Sequence, residues 1–323
     1  MRDLATEFEA ERGHLTTVAY RMLGSRSEAE DAVQDAWLRC TIVLADPAAR
    51  TEIRNLRAWL TTTTARICLD VLRSARVRRE TYPGQWLPEP LVTSLDGQRA
   101  HPDGYAPDPA ERAARTDQVG LALQVVLERL SPEQRVAFVL HDIFAVPFTN
   151  IADVLGTTTA AARQLASRAR RAISRDGTPR HTADLTEQRR VVDAFLSATR
   201  SGELDRLIRV LAPDVVLVGD SGGRFPAARQ PVIGADRVAH FTLGLFRQAD
   251  RYADRLLARP VLVNGALGLR AETVYRDGRP LRLVVSFAVH EGRITGIFNQ
   301  LNPDKLGELV PLGPADQYWP PRC

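Results

Sequence analysis

The 323 residues are 44% hydrophobic and 25% charged, with 43 Lys and Arg against 39 Asp and Glu and a net charge of +4. This is globular composition, long enough for two or three domains with their own cores. No stretch nears the roughly 18 consecutive apolar residues that cross a bilayer, so no membrane partner is expected. Cys40, Cys68 and Cys323 stand too far apart for metal or redox spacing. No metal site and no cofactor is read from them, and the thiols suit a reducing cytoplasm.

Residues 1 to about 80 read as helices. Leu15, Val18, Ala19, Met22 and Leu23 recur at helical spacing and stop at Gly24. Ser27-Glu28-Ala29-Glu30 reads as a capping box opening the next helix. Its apolar face is Ala29, Ala32, Val33, Ala36, Trp37 and Cys40, which leaves Glu28, Asp31 and Asp35 on other faces. A third helix carries Leu56, Trp59, Leu60, Ile67, Leu69 and Leu72, then turns basic through Arg73, Arg76, Arg78 and Arg79. An aromatic beside basic residues suits single-stranded nucleic acid, but Trp59, like Trp37, is assigned to the core.

Residues 81 to about 115 are rich in Pro and Gly and read as a linker. Within it, Trp86-Leu87-Pro88-Glu89-Pro90-Leu91-Val92 is apolar and stiff, so it is expected to dock on something. Helices return from about 116 to 176. Ser131-Pro132-Glu133-Gln134 caps one of them, with Pro at the first helical position. A short helix from Phe148 to Leu155 ends at Gly156, and Thr158 or Thr159 caps a last, basic helix to about Ile173. Helix, tight turn, basic helix is the helix-turn-helix arrangement. On the last helix Ala162, Leu165 and Ala169 are read inward, and Arg163, Gln164, Ser167, Arg168 and Arg171 outward. Arg pairs bidentately with guanine and Gln with adenine in the major groove. The remaining arginines suit phosphates, which position the helix without reading sequence.

From about 185 to 307 the texture changes. Helices near 186–200 and 204–211 lead into a strand, Val215 to Val218, and a helix near 236–248 is followed by alternating strands joined at Asn264-Gly265, Asp277-Gly278 and Glu291-Gly292. The expectation is a multidomain chain: two all-α domains, at 1–80 and 116–176, then an α+β cone of helices on a curved antiparallel sheet. An irregular tail covers 308–323.

Three stretches are familiar. Ala29 to Arg39 resembles the polymerase-binding helix of the extracytoplasmic-function sigma factors. Asn55 to Leu60 and Asp70 to Arg73 resemble that family's promoter-melting region. Leu130 to Arg135, Ile151 to Gly156 and Ser167 to Arg170 resemble its reader of the upstream promoter hexamer. Trp86 to Val92, the strand pattern and Asn302-Pro303-Asp304-Lys305-Leu306 resemble the subfamily with a fused SnoaL-like extension. That subfamily has Asp followed by three glycines after the first strand; here the run is Asp220-Ser221-Gly222-Gly223.

The resemblance implies core RNA polymerase and promoter DNA as partners. Asp31, Gln34, Asp35 and Arg39 would contact the polymerase clamp. Arg73, Arg76, Arg78 and Arg79 would engage the melted downstream hexamer, and the helix around Arg163 to Arg171 the duplex upstream hexamer. Leu165 stands where many relatives carry a basic residue. The extension would regulate, packing through Trp86, Leu87, Pro88, Glu89 and Pro90, through Asp220, Gly222 and Gly223, and through Asn302 to Leu306. A monomer is favoured. Three alternatives stand beside it: a helix-turn-helix repressor, a cone that binds a small-molecule ligand, and an enzyme using Asp220, Asp236, His240 or His290 to move protons.

Overall fold

In the computed structural model, which describes residues 4–80, 82–95, 120–175, 183–275, 278–307 and 309–312, helices begin and end where the chain supplies caps. Helix α1 (Leu4–Leu23) stops at Gly24, whose φ of 71° is the left-handed conformation that favours glycine. Helix α2 (Arg26–Val43) starts earlier than the sequence suggested. Ser25, not Ser27, is the cap, accepting from Glu28 N–H at 3.4 Å. Glu30 lies inside the helix and pairs with Arg26 at 3.0 Å, so the expected capping box at Ser27 does not form. The turn at Gly24 leaves extended Ser25 as the first residue placed to cap. Asp46 caps a short helix α3 (Pro47–Glu52) that no pattern announced. Helix α4 (Leu56–Glu80) follows.

The second helical set is α5 (Leu121–Leu127), α6 (Pro132–Phe138), α7 (Phe148–Leu155) and α8 (Thr159–Arg175). The Ser131–Gln134 capping box is present, and Gly156 closes α7 at φ 62°. A π-helical turn, Val139–Ile143, follows α6. Met1–Thr81 and Gln124–Thr178 belong to one compact unit, in which α4 packs on α6 and α7. Phe8, Leu15, Val33, Leu60, Leu127, Val136 and Ile151 are among its buried side chains. Trp37 and Trp59 are only half-buried, Trp37 against Phe8 with ring centroids 4.9 Å apart.

Tyr82–Pro107 and Pro179–Cys323 belong to the second unit. It holds α9 (Leu185–Ser201), α10 (Leu204–Val210), β2 (Leu211–Asp220), β3 (Val232–Ile233), α11 (Ala235–Tyr252), β4 (Ala253–Val263), β5 (Ala266–Tyr275), β6 (Pro280–His290) and β7 (Arg293–Gln300). The turns at Asn264-Gly265 and Glu291-Gly292 have positive φ at both residues, as hairpin chemistry requires. Gly278 is also left-handed, while Asp277 lies outside the described residues.

Two expectations are corrected. The linker is not irregular throughout: Val92–Thr93 is strand β1, paired antiparallel with β4. Prolines at 88 and 90 hold the chain extended, and Asn264 fixes the join by donating its N–H to the Leu91 carbonyl and accepting the Leu91 N–H. The sheet is also mixed rather than antiparallel, in the order β1-β4-β5-β6-β7-β2-β3, with β2 parallel to β7. A strand that leaves through a helix such as α11 is free of the hairpin constraint and pairs in either sense. Of the expected tail only residues 309–312 are described; there Leu309 and Leu312 are buried and Leu312 N–H donates to Glu272 at 2.8 Å.

Leu217, Ile297 and Phe287 lie in one register row and join Val191, Phe195, Val238 and Leu243 of the helices in a core. Asp220, three residues beyond Leu217, therefore points to the other face. There Asp220, Gln300, Val284, Arg270 and Arg259 form a row across five strands.

Candidate functional site

Helix α2 turns Ala29, Ala32, Val33, Ala36 and Cys40 inward, which leaves Asp31, Gln34, Asp35 and Arg39 exposed as the pattern required. The same outer face carries Leu38 and Ile42, 53% and 75% exposed. Sequence reading passed over this pair. The signal was available, since both fall off the buried stripe and four residues apart.

On α4, Arg73 is exposed but engaged, reaching Glu133 at 3.1 Å and Asp70 at 4.0 Å. Arg66 donates to the Asp153 carbonyl at 3.2 Å. The side chains of Arg76, Arg78 and Arg79 lie outside the described residues. Near the start of α4, Thr61 and Arg57 hold the two ring nitrogens of His14 at 3.1 Å each. Burial, then the Arg57 charge, holds the His14 pKa down at about 4.

Helix α8 buries Ala162, Ala166, Ala169 and Ile173. Small side chains on that stripe let it approach α6 and α7 closely. Leu165 is only half-buried, contrary to the expected inward position, because the stripe passes through Ala166 instead. Arg163, Gln164, Arg168 and Arg171 are exposed, and Ser167 is half-buried beside them. The Arg163 guanidinium stands 5.7 Å over the Phe148 ring, which stacks on His141 at 3.9 Å. Asp142 takes Arg170 at 3.2 Å. Phe148 at the start of α7 and Asp142 in the π-helical turn thus brace α8 at two arginines.

In the second unit the linker, the end of β2 and the segment after β7 converge on Asp220, which is completely buried. Its Oδ1 accepts from the Tyr82 hydroxyl at 2.6 Å and Gly222 N–H at 3.0 Å. Its Oδ2 accepts from Leu87 N–H at 2.9 Å, Lys305 Nζ at 2.7 Å and Gln300 Nε2 at 3.4 Å. Lys305 Nζ also donates to the Leu87 carbonyl at 2.6 Å. It lies 4.0 Å from the Trp86 ring centroid and 5.3 Å from that of Tyr82. Burial, then the bond to Asp220, pushes the Tyr82 pKa up.

Asn302 caps the 3₁₀ turn Pro303–Lys305, receiving Asp304 N–H at 3.0 Å, and donates to the Tyr82 hydroxyl at 2.9 Å. A Cβ on Gly222, at φ 56°, would lie 2.8 Å from the Asn302 carboxamide, so only glycine fits. Gly223, at φ 74°, faces Pro83. Ser221 is not among the residues with positive φ, which explains why a serine is accepted there. Pro88, Pro90 and Leu306 are buried, Glu89 is half-buried, and exposed Asp304 pairs with Arg224 at 3.5 Å.

The proton-transfer candidates do not gather in one site. His240 and Asp236 pair at 3.6 Å but are exposed on α11, and His290 is exposed beside Glu291. Asp220 faces away from the helices and is taken up by the five donors above.

Residues 8–78 match the family described as Sigma-70 region 2, and 120–173 that described as Sigma-70, region 4. The chain is similar to the ECF RNA polymerase sigma factor SigJ of Mycobacterium tuberculosis, 45% identical over 318 residues, covering 93% of this chain and 92% of that protein. A second protein of that species, described as "Probable ECF RNA polymerase sigma factor SigI", is 35% identical over 306 residues, covering 95% and 96%. The crystal structure of the M. tuberculosis extracytoplasmic function sigma factor SigJ superposes with a TM-score of 0.72 at 41% identity, covering 95% of this chain and all of that one, 100%.

Proposed function

The chain belongs to the ECF RNA polymerase sigma factors, which direct transcription initiation, and on that premise we propose a role for each surface. The outer face of α2 docks on the clamp of core polymerase. The observation that carries this is the pair Leu38 and Ile42, held in solvent next to Asp31, Gln34, Asp35 and Arg39. Exposed apolar side chains rimmed by charge are the signature of a protein interface. The basic end of α4, with Arg73, Arg76, Arg78 and Arg79, takes the melted downstream hexamer. Helix α8 enters the major groove of the upstream hexamer, with Arg163 and Gln164 reading bases and Arg168 and Arg171 on phosphates. Ser167 sits at the same surface.

The second unit regulates the first. Support comes from the convergence of Trp86, Leu87, Pro88, Glu89 and Pro90 with Asp220, Gly222, Gly223 and Asn302 to Leu306. The connection between the two halves of the helical unit is held by the second unit's own sheet, so any change there alters what the connection allows. On the helical side of the cone Phe195 and Phe287, 5.5 Å apart and edge-to-face, pack with Ile297 and Leu217. A cytoplasmic monomer is the working state.

Run-off transcription with core polymerase and promoter template tests the reading. The full chain should support it, and Leu38→Glu with Ile42→Glu should abolish it at unchanged thermal stability. A gel shift should require core; tight, sequence-specific binding without core would mean a repressor instead. A chain ending near Arg175 should differ from the full chain in promoter use, and identical output from every promoter tested would remove the regulatory role.

A further inference from the structure

Lys305 is the only lysine in the chain; every other basic side chain among the 43 is arginine. It stands at a point that matches an ammonium. Its ammonium donates to the Leu87 carbonyl at 2.6 Å and Asp220 Oδ2 at 2.7 Å, and it lies against the Trp86 ring at 4.0 Å. An ammonium is compact, with three donors directed around one atom, whereas a guanidinium is a wide planar fork. Two acceptors and an aromatic face within 4 Å of one point match the first shape.

The walls of this site have contacts of their own. Four of the five donors to Asp220 come from Tyr82, Gly222, Leu87 and Gln300, and they hold the carboxylate in place without Lys305. Tyr82 is fixed from its other side by Asn302, and the Leu87 backbone by Asp220 itself. A buried carboxylate, a carbonyl and two aromatic rings form the kind of cage that recognises organic ammonium ions.

We infer that Tyr82, Trp86, Asp220 and the Leu87 carbonyl form a receptor for a primary ammonium group, which Lys305 fills as a tethered ligand. When that side chain is removed, the receptor takes a free alkylammonium ion. This is a binding property of the second unit and does not depend on polymerase.

Thermal unfolding of the full chain tests it. Lys305→Ala should lower the second unit's melting temperature by several degrees, and Lys305→Arg should lower it too. n-Butylammonium should restore the loss in Lys305→Ala with a saturable, millimolar response. n-Butylguanidinium or NaCl at the same concentration should not, and the wild-type chain should not respond. Adding Trp86→Ala to Lys305→Ala should weaken the n-butylammonium response about tenfold. Equal rescue by n-butylguanidinium, an equal response of the wild-type chain, or a wild-type melting temperature for Lys305→Arg would overturn the receptor. Should the Lys305 variants not fold, reductive methylation followed by mass measurement decides the matter on the wild-type chain, where Lys305 is the single side-chain amine. The receptor predicts slow methylation when folded and fast methylation in urea; equal rates refute it.

Discussion

Both units bury charge, and Arg135 in one and Asp220 in the other are built differently. Arg135 in the helical unit is 2% exposed and Asp220 in the α+β unit is 0% exposed. Arg135 meets Glu128 at 2.5 Å, while its Nε and Nη2 have no hydrogen-bond partner. Burial pulls its pKa down to about 9, and the Glu28 charge opposes this only through space. Asp220 receives five donors, from the linker, its own turn, β7 and the segment beyond it. One charge is tolerated and the other is organised around. Replacing a poorly satisfied buried ion by an apolar side chain is often neutral or better, whereas stripping a well-satisfied one orphans every group that served it.

The largest effect should come from Asp220→Leu. It leaves the Lys305 ammonium and four other donors without their acceptor, and should cost about 3–5 kcal/mol in urea unfolding followed at the second unit. Arg135→Ala should cost the first unit about 3 kcal/mol, since it uncovers Glu128 and leaves a void. Arg135→Met fills the same space without charge and should fall within about 1 kcal/mol of wild type. If Arg135→Met proved as damaging as Asp220→Leu, the contrast between the two centres would collapse. Tyr82→Phe removes one of five donors and should cost only about 1 kcal/mol, with the remaining four still holding the carboxylate.

The smallest effect concerns protons. His14 has a folded pKa of about 4, below its unfolded value of about 6.5. Between these values the unfolded chain binds more protons, so stability is full above pH 6.5 and falls as pH drops toward 4. The loss from pH 7 to 5 should be about 1 kcal/mol after discounting for partial exposure. His14→Asn should flatten that slope, and an unchanged slope would move its origin to another group.

Helix existence was legible because the apolar stripes and caps of α1, α6 and α7 repeat in chain order, each closed by a residue of fixed conformational meaning such as Gly156. The caps failed only at Ser27, where a local rule was satisfied twice within three residues and geometry chose Ser25. The exposed row Arg163, Gln164, Arg168 and Arg171 followed from periodicity, but the displacement of Leu165 by Ala166 did not, since alanine and leucine compete for the same stripe. Resemblance, not physics, named Trp86 to Pro90, Asp220, Gly222, Gly223 and Asn302 to Leu306, and it missed Tyr82 and Gln300, two of the five donors to Asp220. The members of this centre lie up to 220 positions apart, and no periodic signal spans such distances. The parallel pairing of β2 with β7 was hidden for the same reason.

Strand β1 has a consequence for how each copy is made. Val92 pairs with Val263, and Tyr82 meets Asn302 from 220 residues away. At roughly 5–20 residues per second, a ribosome needs about 10–45 s to supply that second partner. During this interval the emerging chain has already released Trp86, Leu87 and Leu91 with no sheet to receive them. Every new molecule therefore passes through a stage in which the first helices are complete and the connector is bare. Translation speed sets how long that stage lasts.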